Sequence, residues 1–223
     1  MTGGRSGRRA GDSGTREAIL AAARRRFAEN GYDGATIRGI AADAGVDPAL
    51  VHHFHGTKER LFAASMQLPV VPGELITSVF AAERRRLGDE FAGHVGEIVV
   101  RTVLTVWDGE VARASFVGML RAAATNEQAA RMMREFVTST IMAALTQALG
   151  PPKGAAGGEP DPVLRQYRAS LVASQIIGLG FTRYVLRLGP VTSASAAELV
   201  AAIGPTIQRY LTGDLSSGLK SWG

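Results

Sequence analysis

"TIRGIAADAGVDPALVHHFHGTKERLF", residues 36–62, decides the fold. Ile37, Ile40, Ala41 and Ala44 recur at i, i+3, i+4 and i+7, the spacing of one helix face. Thr36 stands where an N-cap belongs, and Gly45 where a helix ends on a left-handed residue. Asp47 then caps a second helix with Pro48 at its first position, where a missing N–H costs nothing. Thr57 opens a third. Two short helices joined by "AGVD" (44–47) form a helix-turn-helix, in which Gly45 makes the sharp turn and Val46 plugs the small core between the helices.

Upstream, "TREAILAAARRRFAENG" (15–31) places Ile19, Leu20, Ala23 and Phe27 at helical spacing, with Thr15 as N-cap and Gly31 as the stop. Downstream, the helix from Thr57 runs toward Leu68 and is broken by "PVVPG" (69–73). Further helices are predicted at 73–87, 91–107, 110–124, 126–149, 161–188 and 193–212, with one long flexible connection, "GPPKGAAGGEPDP" (150–162). No strand-rich segment or internal repeat interrupts them. The expected fold is all-α. A helix-turn-helix head, 15–68, includes the connecting fourth helix and sits on a larger helical body, 69–213. Residues 1–14 are expected to form a disordered basic arm, and 214–223 a tail.

The chain has 223 residues, 46% of them hydrophobic, so it can bury a core. It has no cysteine, which removes disulfides, thiolate catalysis and zinc–thiolate sites and fits a reducing, cytoplasmic setting. No apolar run reaches membrane-spanning length. A net charge of +5 permits a polyanionic partner without requiring one. There is no nucleophile elbow, phosphate loop or H-E-x-x-H, so neither an enzyme nor a cofactor is expected.

The helix starts carry a further signal. Arg16 follows Thr15, Arg38 lies two places after Thr36, and Lys58 follows Thr57. A cation in the first turn opposes the helix dipole. These residues make sense if each helix end faces an anion, as a clamp on a nucleic-acid backbone would arrange. The alternative is ordinary surface charge. Arg5, Arg8 and Arg9 could extend such a field into a minor groove. Three of the four histidines fall within 52–55. His52 and His55 share a helical spacing, but no cysteine or carboxylate joins them, so no metal site is expected. Packing or capping is the plainer role for any of them.

Residues 15–62, "TREAILAAARRRFAENGYDGATIRGIAADAGVDPALVHHFHGTKERLF", resemble the DNA-binding head of the TetR family of bacterial transcription regulators. The likeness runs through Phe27…Gly31-Tyr32, the Thr36 start, the Ala44-Gly45-Val46 turn and Lys58-Glu59…Leu61. "QIIGLGFTRYVLRL" and "IGPTIQRYLTG" are similar to the closing helices of actinobacterial members. The resemblance implies a homodimer on an inverted-repeat operator of double-stranded DNA and a body that binds a small effector. It also implies a recognition helix, Asp47, Pro48, Ala49, Leu50, His52 and His53, in the major groove beside Thr57 and Lys58. The family's usual Tyr-x-His-Phe is replaced here by His52-His53-Phe54-His55, with His52 where a tyrosine meets a phosphate. Leu50 replaces the usual base-facing threonine and can meet only a thymine methyl.

In the body, Trp107, Phe116, Met119, Met132, Met133 and Phe136 offer adaptable apolar walls for an effector, or serve as core. Val172, Ala173, Ile176, Ile177, Gly180 and Tyr184, with Ile203 and Ile207 on the last helix, form an apolar stripe suited to a four-helix dimer face. The same stripe could instead be buried within one chain. The function expected is a repressor released by a small apolar ligand. The alternatives are an activator, a ligand-independent regulator, or a helical binding protein or enzyme that does not touch DNA.

Overall fold

The computed structural model describes residues 7–149, 162–213 and 215. Every regular element among them is helical. In chain order these are α1 Gly7–Gly34, α2 Ile37–Ala44, α3 Pro48–His55, α4 Lys58–Ser65, α5 Pro72–Leu87, α6 Val95–Trp107, α7 Glu110–Thr125 and α8 Glu127–Phe136. They continue with α9 Ala143–Leu149, α10 Pro162–Gly180, α11 Gly189–Ser193 and α12 Ala196–Thr212. A 3-10 turn, Gly88–Gly93, precedes α6, and π turns follow α8 (Val137–Met142) and α10 (Phe181–Val185). No described helix is long and apolar enough to cross a membrane. Residues 150–161 of the expected connection at 150–162, and most of the tail, lie outside the described residues.

The chain forms two compact units, 1–72 with 118–141, and 73–117 with 142–223. This redraws the expected boundary at 68/69, because residues 118–141 belong with the head. Their anchor is Phe136, whose ring lies 4.4 Å from Phe62 and 5.4 Å from Tyr32. Phe27 completes the cluster at 5.0 Å from Phe62 and 5.9 Å from Tyr32. Around these rings Ile19, Ala22, Ala23, Ile40, Ala41, Val51 and Leu61 are fully buried. Aromatic pairs of this kind add about 0.5–1.5 kcal/mol each beyond the area they bury.

Polar contacts tie the same helices. Glu135 of α8 accepts from the Asp33 amide at 3.1 Å, and Gln128 donates to the Glu29 carbonyl at 2.9 Å. Burial raises the Tyr32 phenol above its ordinary range, against a hydrogen bond with Thr140. Helix α1 is interrupted at Gly31 (φ 74, ψ −178), as the sequence predicts. A side chain there would be strained by φ and would also strike the Glu135 carboxylate. The start of α1 differs from expectation. The helix begins at Gly7, so Thr15 is interior rather than a cap and 7–14 are helical; residues 1–6, with Arg5, lie outside the described residues.

The second unit is organised by α6 against α12. Gly96 and Gly204 face each other so closely that a methyl on Gly96 would overlap the backbone of Gly204 and Gln208. Gln208 accepts from the Gly96 amide at 2.8 Å and donates to the Ala92 carbonyl at 2.8 Å, capping the start of α6. Val95, Ile98, Val100 and Leu104 of α6 and Leu199, Val200 and Ile207 of α12 are buried. Ser195 and Glu198 form a capping box at the start of α12.

Trp107 stacks on Phe116 with centroids 3.9 Å apart, and Tyr184 meets Trp107 edge-on. Gly180 lies beneath Trp107 and Phe116, with no room for a Cβ. The Tyr184 hydroxyl donates to Asp108 at 2.8 Å, and burial together with that carboxylate pushes the phenol up to about 12. Arg183 donates to the carbonyls of Val191 (2.7 Å) and Ala194 (3.0 Å) and closes the loop before α12.

Candidate nucleic-acid interface

The helix-turn-helix is built by its caps. The Thr36 hydroxyl accepts from the Gly39 amide at 3.1 Å. At the other end of α2, Gly45 takes the left-handed conformation (φ 67, ψ 33). Its amide donates to the Ala42 carbonyl and that of Val46 to the Ala41 carbonyl, at 3.2 and 3.0 Å. This paired closure turns the chain sharply and satisfies two carbonyls that would otherwise be orphaned. Two residues on, the Asp47 carboxylate accepts from the Ala49 amide at 2.8 Å, and Pro48 occupies the first turn. An Arg26–Asp43 ion pair, with one contact at 2.8 Å, clips α2 to α1 and holds the Asp43 carboxyl below its usual range.

This framing gives α3 two faces. Val51 and His55, one turn apart, are buried. Ala49, Leu50, His52 and His53 are exposed on the other side, Leu50 with 39% of its surface free. The expected base-facing residues therefore share one open face, and Asp47 and Pro48 set the helix start beneath them. The i, i+3 pairing of His52 with His55 does not put them on one face, since one points out and the other in. The described residues contain no cluster of side chains able to hold a metal ion.

The three helix ends do not form the uniform phosphate clamp read from the sequence. Arg16 lies inside α1 rather than at its start, so the helix-end argument no longer applies to it, although the residue is exposed. Arg38 is exposed in the first turn of α2. The Thr57 hydroxyl is engaged in capping α4, accepting from the Arg60 amide at 3.1 Å. The Lys58 ammonium turns inward, donating to the Asp33 carbonyl at 3.1 Å and lying 4.8 Å over the Tyr32 ring. Burial lowers it from the ordinary lysine range, against the opposing pull of Asp33 and Glu135. The peptide groups of Asp33 are thus clasped from both sides, the amide by Glu135 and the carbonyl by Lys58. His52 accompanies this turn, its Nδ1 2.9 Å from the Gly56 carbonyl.

The other candidates divide between the units. Trp107 and Phe116 stand together in the second unit, while Met119, Met132, Met133 and Phe136 belong to the first. Phe136 is head core, and Met132 packs against that core. Of the expected dimer stripe, Val172 and Ile207 are buried within the chain, and Gly180 is covered by Trp107 and Phe116. Tyr184 is tied to Asp108. Ala173, Ile176, Ile177 and Ile203 are half-buried, and Phe181, Leu186 and Leu188 beside them are exposed.

Comparison with known proteins agrees with this architecture. Residues 19–65 match the family described as bacterial regulatory proteins, tetR family, and residues 93–211 match the tetracyclin repressor-like C-terminal domain. The chain belongs to the TetR family. It is 47% identical over 57 residues to the HTH-type transcriptional repressor AcnR of Corynebacterium glutamicum, a match covering 25% of this chain and 30% of that protein. The AcnR of Corynebacterium efficiens is 46% identical over 50 residues, covering 22% and 27%. These matches span less than a third of the curated relatives' length. A TetR-family regulator from Streptomyces coelicolor is 38% identical over 92% of this chain and 99% of its own, with a TM-score of 0.42. NalD of Pseudomonas aeruginosa, the secondary repressor of the MexAB-OprM multidrug efflux pump, is 18% identical over 91% and 99%, with a TM-score of 0.45.

Proposed function

We propose that the chain is a transcriptional repressor that reads double-stranded DNA with α3 as a homodimer and is released by a small apolar effector. The observation that carries this reading is the open face of Ala49, Leu50, His52 and His53 on a helix whose other face is locked into the head. The short side chain of Ala49 lets the helix approach base edges, and Leu50 suits a thymine methyl. Arg38 and Lys58 lie at the starts of α2 and α4, where phosphates run past such a helix. The Lys58 ammonium would exchange the Asp33 carbonyl for a phosphate oxygen on binding.

Dimerisation is assigned to α10 and α12 through Ile176, Ile177 and Ile203, extended by the exposed Phe181, Leu186 and Leu188. The effector is assigned to the second unit, beside the Trp107–Phe116 stack. Such coupling is typically worth about 1–3 kcal/mol, a shift of about 5–150-fold in DNA affinity. Selection of bound sequences from random duplexes tests the core of the proposal. An inverted repeat should be enriched, with affinity falling steeply as salt rises. Enrichment of no sequence, or binding indifferent to salt, would remove the DNA-reading role.

A further inference from the structure

Helix α3 holds its histidines in two opposite settings. His52 and His53 are exposed, whereas His55 retains 6% of its surface. The Nε2 atom of His55 is enclosed and has no hydrogen-bond partner. The backbone of Arg16, on α1, lies near the ring and partly offsets the effect of burial. A neutral imidazole with its hydrogen on Nδ1 tolerates this setting, because Nε2 then presents only a lone pair. Protonation would put an N–H and a positive charge at Nε2, with no acceptor to receive them.

The charged side chains on the elements around the ring offer no compensation. Helix α1 carries Asp12 and Glu17 beside Arg16, and of these the Arg16 guanidinium acts on the ring, with the same sign of charge. Helix α2 carries Arg38 and Asp43, and Asp43 is paired with Arg26. The first turn of α4 carries Lys58, Glu59 and Arg60, with the Lys58 ammonium docked on Asp33. On α3 itself the other titratable groups are His52 and His53. Among these, Arg16 alone contributes electrostatically at His55.

We infer that His55 makes the seating of α3 against α1 acid-labile, so that the head releases DNA when its surroundings acidify. The DNA part of this inference rests on the reading of α3 given above; the lability does not. Burial, reinforced by Arg16, holds the imidazole below its ordinary value of 6.5. A lowered histidine stabilises the fold fully above that ordinary value. The stabilisation is lost as pH falls below it and through the folded-state value, by up to about tenfold in the folding constant per pH unit. Residual exposure and breathing of the head place the observed slope below that limit.

Three measurements on the full chain test the inference. Ring titration by NMR should find His55 still neutral below the ordinary histidine value of 6.5. Titration of His55 at or above 6.5 with the head still folded would overturn the inference. Melting temperature, followed from about pH 7.5 to 5, should fall more steeply for the natural chain than for His55→Phe or His55→Leu, which fill the site without a titratable nitrogen. Parallel slopes in every folded variant would also overturn it. Binding to an immobilised random-sequence duplex at fixed ionic strength supplies the third measurement. The affinity of the natural chain relative to His55→Phe should drop several-fold over the same range, and a constant ratio would sink the DNA-release part. Failure of both chains to bind DNA at every pH would count against the proposed function, with lability still decided by titration and melting.

Discussion

The aromatic head and the α6–α12 pair are held by opposite means. In the head, rings from α1, α4, α8 and the Gly31 turn interlock, and the largest fully buried side chains include Phe27 and Phe62. At the α6–α12 crossing the facing residues are Gly96 and Gly204, and the two backbones nearly touch. The first arrangement depends on what the side chains fill, the second on what they leave out. A cluster of rings fails by losing volume, whereas a backbone-to-backbone crossing fails by gaining it.

The largest effect is expected in the head. Phe62→Ala removes the ring that contacts Phe27, Tyr32 and Phe136 at once, and should cost about 3–5 kcal/mol by denaturant unfolding. A loss under 1 kcal/mol would mean that the cluster fills space without organising it. Gly204→Leu sharpens the contrast from the other side. Adding volume there should cost about 1–3 kcal/mol or more through overpacking, whereas Ala144→Leu, on a half-buried position away from the crossing, should cost far less. Equal losses for the two would show that the glycine crossing is not special.

Smaller effects separate framework from interface within the head. Asp47→Ala removes the cap of α3 and should cost about 1 kcal/mol of stability, readable as a lower melting temperature. Leu50→Ala should leave the melt almost unchanged while altering preference at one base step by about 1–3 kcal/mol. Lys58→Ala should weaken binding to every duplex alike and reduce the salt slope by about one unit. An unchanged salt slope would make the clasp on Asp33 its whole role.

The sequence disclosed what is local. Thr36, Gly45, Asp47 and Thr57 act where their types and spacing place them, because a cap needs only the next few residues. The helix from Gly7 gave no such sign, since "GRRAGDSG" has no apolar face and its glycines disfavour helix. Long-range choices were also hidden. Nothing near Phe136 says that it packs in the head rather than on an effector wall, and nothing near Gln208 says that it caps α6. The stripe of Val172, Gly180 and Ile207 reads equally well as a surface between chains or a seam within one. The histidines show the limit most sharply. Of three neighbours of one residue type, two are exposed and one is buried, and nothing in their spacing says which.

Because Phe136 and Glu135 complete the head from the far side of the sequence, the head cannot be transplanted as the first 72 residues alone. A chimaera cut there would carry Tyr32 and Phe62 without the ring that covers them, and the Gly31 turn without the carboxylate that holds it. A working graft must bring the 118–141 segment with it, so three junctions, 72/73, 117/118 and 141/142, must be joined to the recipient. If α3 reads DNA as proposed, exchange of specificity between relatives is therefore easiest on its open face, residue by residue, and hardest by swapping whole domains.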